Sequence, residues 1–484
     1  MDARRVGMFA ACVGVVLLAG GLRCYHLGDR PFHDDELATF DEVDALVHKP
    51  APSTLTVTER LPRAIPIGYL VQWLDYQCFG RTEWGSRVLN ALLGTASVLL
   101  VVVGISLTGA GRGMALVTGV LIALWPQHLY YSQENRFYMP AFVCASLCML
   151  AGAIALHKRS WVWMVTASGL GVLAVFAHTT LLILSAGLLG AMLLAAWTNR
   201  DVRLGRLALV PAVALMLGCC VYLFYARPLL SGWNADSGWG LGPIKSLGAA
   251  IFKLGWPLCL LAGLGAVLAL SRQREQDWYW LTWGVLWLAS CLILPLAITH
   301  RSAYTFPPTL GVLVLAGQGI AHLAQRLAET SRPAAVAWVA CACLLNLPGL
   351  ISHCIDGSCP DYRPVADYIR AHWQPGDRLM ATSPDLLERY LANGTLSGPL
   401  EPHKLEEGLQ MLAQGTRGSG RVWIAVNYGR LSRPAHLLDW LGKHCSRELE
   451  VAPTRYDAFE YPAVLYLFHG ETGSSATPSF VAEQ

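Results

Sequence analysis

Eleven long apolar runs mark the chain, at 6–22, 88–110, 113–130, 137–156, 161–178, 179–197, 207–226, 247–270, 278–299, 303–321 and 334–352. Each is close to the roughly 20 residues a helix needs to cross a hydrocarbon core. Ten contain no Asp, Glu, Lys or Arg. The run 247–270 has only Lys253, close enough to one end to snorkel. The pattern predicts a polytopic α-helical membrane protein with about 11 transmembrane helices. Residues 64–79 (AIPIGYLVQWLDYQCF) are apolar but short, and Asp75 interrupts them. They are expected to form an interfacial amphipathic helix. Beyond 352 the pattern changes. Helices are predicted over 361–373 and 384–392, strands over 378–383 and 421–428, with a Pro-Gly-Asp turn at 375–377. This divides the chain into a membrane module, 1–352, a small α/β domain, 353–470, and a disordered tail, 471–484.

Basic residues orient the spans. Arg4 and Arg5 precede the first run, and no small-residue cleavage site precedes Arg23, so an uncleaved anchor with a cytoplasmic N-terminus is expected. Every second loop then holds basic residues: Arg112; Lys158 and Arg159; Arg200, Arg203 and Arg206; Arg272 and Arg274; Arg326 and Arg332. A spanning 64–79 would flip all of these outward. The outer features are the loop 23–87, a Gly- and Trp-rich loop 227–246, and the C-terminal domain. The expected location is the cytoplasmic (inner) membrane.

Composition agrees. Of 484 residues, 54% are hydrophobic and 14% charged, with a mean hydropathy of +0.41. Soluble domains carry about 25% charged residues. The net charge of +3 is too small to point to nucleic acid. The 14 Cys lie mostly in apolar runs and show no zinc-type spacing. Cys354 and Cys359 flank a short turn, where an extracytoplasmic disulfide and two free thiols fit equally.

Three outer segments carry candidate chemistry. His33, Asp34, Asp35 and Glu36 follow the first span, at the level of lipid headgroups. A carboxylate there can take a proton from an acceptor nucleophile; the same residues also fit a solvated helix start capped by Asp34 or Asp35. Glu134 and Arg136, in LYYSQENRFYMP, sit between two apolar runs, where ionisable groups are functional candidates or interfacial anchors. His300 and Arg301 are an outer cation pair against the inside bias, suited to a phosphate or to anionic headgroups.

In order along the chain, HDDELATF, IPIGYLVQWLDYQCFGRTEWGSRVLNALLG, YYSQENRFYMP and HRSAYTFPPTLGVLVLAGQGI resemble the motifs of the GT-C integral-membrane glycosyltransferases. The similarity is to the branch of protein O-mannosyltransferases and lipid A aminoarabinose transferases. It covers roughly the first 330 residues, and YRPVADYIRAHWQPGDRLM resembles the outer end of many members. The resemblance implies an inverting transferase that moves a sugar from a polyprenyl-phosphate carrier to an extracytoplasmic hydroxyl. It implies Asp35 as catalytic base with Glu36 beside it, Glu134 organising the acceptor or a metal, and Arg301 holding the lipid phosphate. Arg136, Arg63 and His300 are the further phosphate candidates. His33 and Asp34 stand where an aromatic or apolar residue is commoner; a divalent metal held by His33, Asp35 and Glu134 is left open. Ile65-Pro66 replaces a Pro-Pro pair, and the basic residue expected at Ala64 lies one place earlier, at Arg63.

The alternatives are a transporter or flippase of a lipid-linked saccharide and an inactive scaffold. A transporter would place ionisable groups near mid-membrane in repeated halves. Here the acids cluster at one face and no repeat is visible.

Overall fold

The structure, a computed structural model, describes residues 3–48, 57–230, 242–297, 302–356, 361–391, 403–404, 421–427, 434–451 and 463–468. His300, Arg301, Cys359 and residues 471–484 lie outside the described residues, so the phosphate, disulfide and tail expectations placed on them are not addressed by it. The chain divides into two compact units, one of residues 1–27 and 39–351, the other of 28–38 and 352–484.

Among the described residues of the first unit, every regular element is a helix. In chain order it contains α1 (Ala3–Cys24), most of α2 (Asp34–His48), α3 (Val57–Ala64), α4 (Pro66–Phe79), α5 (Val88–Leu107), α6 (Arg112–Leu124), α7 (Pro126–Ser132) and α8 (Tyr138–Lys158). There follow α9 (Trp161–Val175), α10 (Leu182–Asn199), α11 (Val202–Leu207), α12 (Leu209–Val221) and, after a π-turn, α13 (Arg227–Leu230). Then come α14 (Pro243–Leu254), α15 (Trp256–Arg272), α16 (Glu275–Ala297), α17 (Leu310–Thr330), α18 (Arg332–Leu344) and the first half of α19 (Leu347–Asp356). Among the described residues, seven helical segments are long and apolar enough to cross a membrane, or up to ten if three bent pairs count as single spans. This is a multi-pass membrane protein. The helix α4, at 14 residues, reaches about 21 Å and is too short to span.

Three expected spans are not straight. The run 113–130 bends by 63° between α6 and α7, and 334–352 by 41° between α18 and α19. The run 247–270 turns by 95° between α14 and α15. The first bend falls at Trp125, held extended because Pro126 follows it. The third falls at Gly255, whose φ of +91° suits only glycine without strain.

Small residues let the bundle close. A Cβ on Gly265 would lie 2.0 Å from the Leu315 carbonyl oxygen, and one on Gly319 would lie 2.7 Å from that of Leu261. The backbones of α15 and α17 therefore touch, as small-residue interfaces in membranes allow. Arg159, at the end of α8, pairs with Glu275 and, at 3.3 Å, with Asp201. The three loops carrying these residues fall on one side in the basic-residue alternation, and here they meet.

The second unit carries α20 (Arg363–His372), α21 (Pro384–Leu391) and α22 (Pro434–His444), with strands β1 (Arg378–Ala381), β2 (His403–Lys404), β3 (Val422–Asn427), β4 (Cys445–Val451) and β5 (Ala463–Phe468). The sheet order is β2-β1-β3-β5-β4; β1 is parallel to both neighbours, and β5 is antiparallel to β3 and β4. Its core joins Met380, Ile424, Val426, Leu441 and Val464. At the predicted turn, Gly376 has φ +93°, and the Asp377 carboxylate accepts from the Gln374 N–H (2.9 Å) and from Arg421 and Trp423 (2.8 Å each).

Candidate functional site

In the first unit, the polar stretch between α7 and α8 is buried. Gln133, Glu134, Asn135 and Arg136 are each at most 7% exposed. Its backbone leaves the helix and is buried, so its carbonyls need donors from elsewhere. Asn90, inside α5, supplies them: its amide donates to the Glu134 carbonyl at 2.6 Å and to that of Arg136 at 2.9 Å. Gln72 of α4 adds a bond to the Arg136 carbonyl at 3.0 Å, and the Tyr76 hydroxyl donates to Asn135 at 2.9 Å. Gln133 closes the end of α1, donating to the carbonyls of Leu22, Arg23 and Tyr25 at 2.9–3.2 Å. A Cβ on Gly68 would sit 2.4 Å from the Cβ of Phe137, so α4 lies directly against this stretch.

Arg136 turns its guanidinium to α2. It donates to the Thr39 hydroxyl at 2.8 Å and meets the Glu42 carboxylate at 3.4 Å, and it lies 4.8 Å from the Phe137 ring centroid. The Tyr69 hydroxyl also donates to Glu42, at 2.7 Å. Burial first, and then the Glu42 charge, push the Tyr69 phenol well above its usual value, so it stays a donor. Nearby, Asp75 caps α5 from outside, accepting the Leu89 N–H at 3.1 Å. Burial raises Asp75 to about 7 against that hydrogen bond, which favours the charged form. Arg63 donates to the Ala45 carbonyl at 3.4 Å, and its own carbonyl accepts from Tyr225.

A second polar core underlies the bend at Trp125. Arg23 is buried and donates to Ala19 of its own helix and to the Ile122 and Ala123 carbonyls at the end of α6. A cation there neutralises a helix C-terminus whose continuation Pro126 prevents. The Arg23 guanidinium lies 2.6 Å from His128 Nδ1, and His128 Nε2 lies 3.0 Å from the Ser97 hydroxyl. With Nδ1 accepting, Nε2 is the donor, and the ring is the neutral tautomer.

The acidic motif belongs to the second unit. Residue 33 is the N-cap of α2. His33 Nδ1 accepts the Asp35 N–H at 3.2 Å, and the Glu36 carboxylate reaches back to the His33 N–H at 3.3 Å. This is a variant of the capping box, with histidine in the Ser/Thr place accepting the second rather than the third helical N–H, so the cap is neither Asp34 nor Asp35. Asp34 accepts from the Ser383 hydroxyl at 2.7 Å. The segment is fastened through the Phe32 N–H to the Tyr390 hydroxyl (2.7 Å), Arg389 over the Phe32 ring, Arg363 to the Asp29 carbonyl (2.6 Å) and Arg30 to the His353 carbonyl (2.6 Å). Three acids in the first turn also suit the helix dipole.

Sequence reasoning missed Glu42, Tyr69, Gln72, Asn90, Arg23 and His128. Thr39 and Glu42 follow Asp35 by four and seven residues, the spacing of one helix face, and that was a usable signal. Among the described residues no three His, Cys, Asp or Glu side chains are grouped to hold a metal ion, and no reaction step is assigned to one.

No family model and no curated protein matches the sequence. Solved structures do. ArnT from Cupriavidus metallidurans matches with a TM-score of 0.58 and 13% identity over 96% of this chain and 98% of that one; its form bound to undecaprenyl phosphate gives 0.57 and 14% over the same shares. An oligosaccharyltransferase of Archaeoglobus fulgidus, in complex with Zn and sulfate, matches with a TM-score of 0.53 and 14% identity over 81% of this chain and 59% of that one. The chain has the GT-C fold.

Proposed function

We propose that this protein is a glycosyltransferase that takes a sugar from a polyprenyl-phosphate carrier and passes it to a hydroxyl on a lipid, glycan or protein outside the cytoplasmic membrane. The observation that carries this reading is the likeness to ArnT over nearly the whole of both chains, one of whose structures holds undecaprenyl phosphate. The buried Gln133–Arg136 stretch supports it, because buried ionisable groups are costly without a task.

Asp35 is the assigned base. The likeness of its acidic motif to the Asp-Glu motif of the GT-C glycosyltransferases supports this assignment. Asp35 takes the acceptor proton as the oxygen attacks the anomeric carbon from the face opposite the phosphate. The sugar–phosphate bond breaks and the polyprenyl phosphate departs with the electron pair, inverting the centre. Glu134 orients the acceptor. Arg301, with His300 and Arg63 as further cations, holds the phosphate. Arg136, engaged with Glu42 and Thr39, keeps the outer turn in shape.

The test is donor affinity. Arg301→Lys keeps the charge but not the bidentate fork. It should weaken binding of a polyprenyl-phosphate donor to the purified protein, and Arg301→Ala should weaken it more. Equal affinity in wild type and both variants removes Arg301 from the site.

A further inference from the structure

The acidic segment 28–38 joins the rest of the second unit across more than three hundred residues of chain, and one short helix receives it. Ser383 stands immediately before α21, and its carbonyl accepts the Leu387 N–H at 3.4 Å, so it opens that helix. Tyr390 lies seven residues on. Seven residues make two turns, about 10 Å, and return to the same face. From that face the Ser383 hydroxyl donates to the Asp34 carboxylate at 2.7 Å, and the Tyr390 hydroxyl accepts the Phe32 N–H at 2.7 Å. A serine in the cap position ordinarily serves the N–H groups of its own helix; here its proton goes to Asp34. Arg389 lies 4.5 Å from the centroid of the Phe32 ring, which is fully buried.

The helix is itself held in place. Leu386, Leu387 and Leu391 are buried. The turn from β1 to α21 is tied to β3: the Thr382 N–H donates to the Ala425 carbonyl at 3.1 Å, and the Thr382 hydroxyl accepts the Asn427 N–H at 2.9 Å. The strand β1 lies between β2 and β3, both parallel to it, so the strand order reverses there. In open parallel sheets the carboxyl ends of the strands at such a reversal are where ligands are held. Here that end of β1 carries the acidic segment. Ser383 and Tyr390 are 4% and 5% exposed, and buried hydroxyls are costly without partners. The clamp is polar and directional, and its nearer bond falls one residue from Asp35.

We propose that Ser383 and Tyr390 are positioning residues for sugar transfer. Through Asp34 and Phe32 they fix the first turn of α2, and so the place of the Asp35 carboxylate when the acceptor hydroxyl loses its proton. The bond to Asp34 also pins one of three like charges crowded into that turn. The C-terminal unit is in this way part of the transfer machinery. The assignment rests on the reading of Asp35 as the base.

The experiment is a double-mutant cycle on transfer. Release of polyprenyl phosphate is followed in single turnovers of the full chain in liposomes. The donor is the glycosylated polyprenyl-phosphate fraction of a membrane extract, and the extract supplies the acceptor. Donor binding is measured on every variant, so that the number of competent molecules is known. Ser383→Ala should slow release by about tenfold to about a hundredfold, the loss expected when a reacting group is displaced by about an ångström, with donor affinity and site number unchanged. In the Asp35→Asn background Ser383→Ala should cost nothing further, because no base is left to place. Tyr390→Phe should follow the same pattern, and it carries the test if Ser383→Ala does not fold. Undiminished release by the folded variants, or losses that multiply with that of Asp35→Asn, overturn the positioning role and leave Asp35 as the base. Release by Asp35→Asn at the wild-type rate removes the base, and this proposal with it.

Discussion

The substitution Glu42→Gln perturbs the polar network at its most charged point. In the native protein the Glu42 carboxylate accepts from Tyr69 at 2.7 Å and from Arg136 at 3.4 Å, with the two ionic side chains only 5% and 9% exposed. The amide that replaces the carboxylate would keep the shape and still accept from Tyr69, but Arg136 would be left beside a neutral group. Removing one member of a buried ion pair costs about 3–5 kcal/mol. The long contact and the retained bond from Arg136 to Thr39 put this case at the lower end, about 3 kcal/mol. Arg136→Met alone should cost a similar amount. The double variant should cost much less than the sum, with a coupling of roughly 1–3 kcal/mol, because neither charge is then stranded. Equilibrium unfolding in mixed micelles of all four proteins gives the cycle. Additive single effects would mean that the pair does not hold the turn between α7 and α8 to α2, and the account of that turn would fail.

Asp75 makes stability pH-dependent. Its folded value, about 7, lies above that of an unfolded aspartate, so its contribution is full at low pH and is lost as pH rises from about 4 to about 7. Asp75→Asn should flatten that slope in melting curves; an unchanged slope would show that Asp75 titrates normally. Gly265→Val should drive α15 from α17, since even a Cβ there would lie 2.0 Å from a carbonyl oxygen, and should abolish recovery of folded protein. Normal yield and melting temperature would contradict the close approach. Alkaline phosphatase fused after residue 360 should be active, because the loop alternation puts the C-terminal unit outside; a well-expressed but inactive fusion would reverse the orientation.

The membrane class was legible because about twenty apolar residues in a row have few other uses. The bends were not, because a hydropathy window averages across them, although Trp125-Pro126 and Gly255 carry the backbone reasons in plain sight. Four elements of the C-terminal unit, Arg363–His372, Arg378–Ala381, Pro384–Leu391 and Val422–Asn427, fall where amphipathic and strand patterns predicted them. The strands β4 and β5 were not foreseen, since their pairing is non-local. At the site, the motif residues Glu134 and Arg136 stood out as charges between apolar runs. Asn90 and Gln72 did not: a single amide in an apolar helix looks tolerated until the carbonyls it serves are seen. The fastening of residues 28–38 to the C-terminal unit, through partners such as Tyr390 and Ser383, could not be read from spacing, because those partners lie more than three hundred residues away.

The most direct test of the central claim is turnover of the carrier. Purified protein reconstituted into liposomes with glycosylated polyprenyl phosphate and a membrane extract as the acceptor source should release free polyprenyl phosphate, read by mass spectrometry of the lipid fraction. Asp35→Asn, still able to bind the donor, should release it about 10²–10⁴-fold more slowly, as expected on losing a general base. Release at the same rate by wild type and Asp35→Asn, or none by a folded wild type that binds the donor, would contradict sugar transfer from a lipid phosphate with Asp35 as the base.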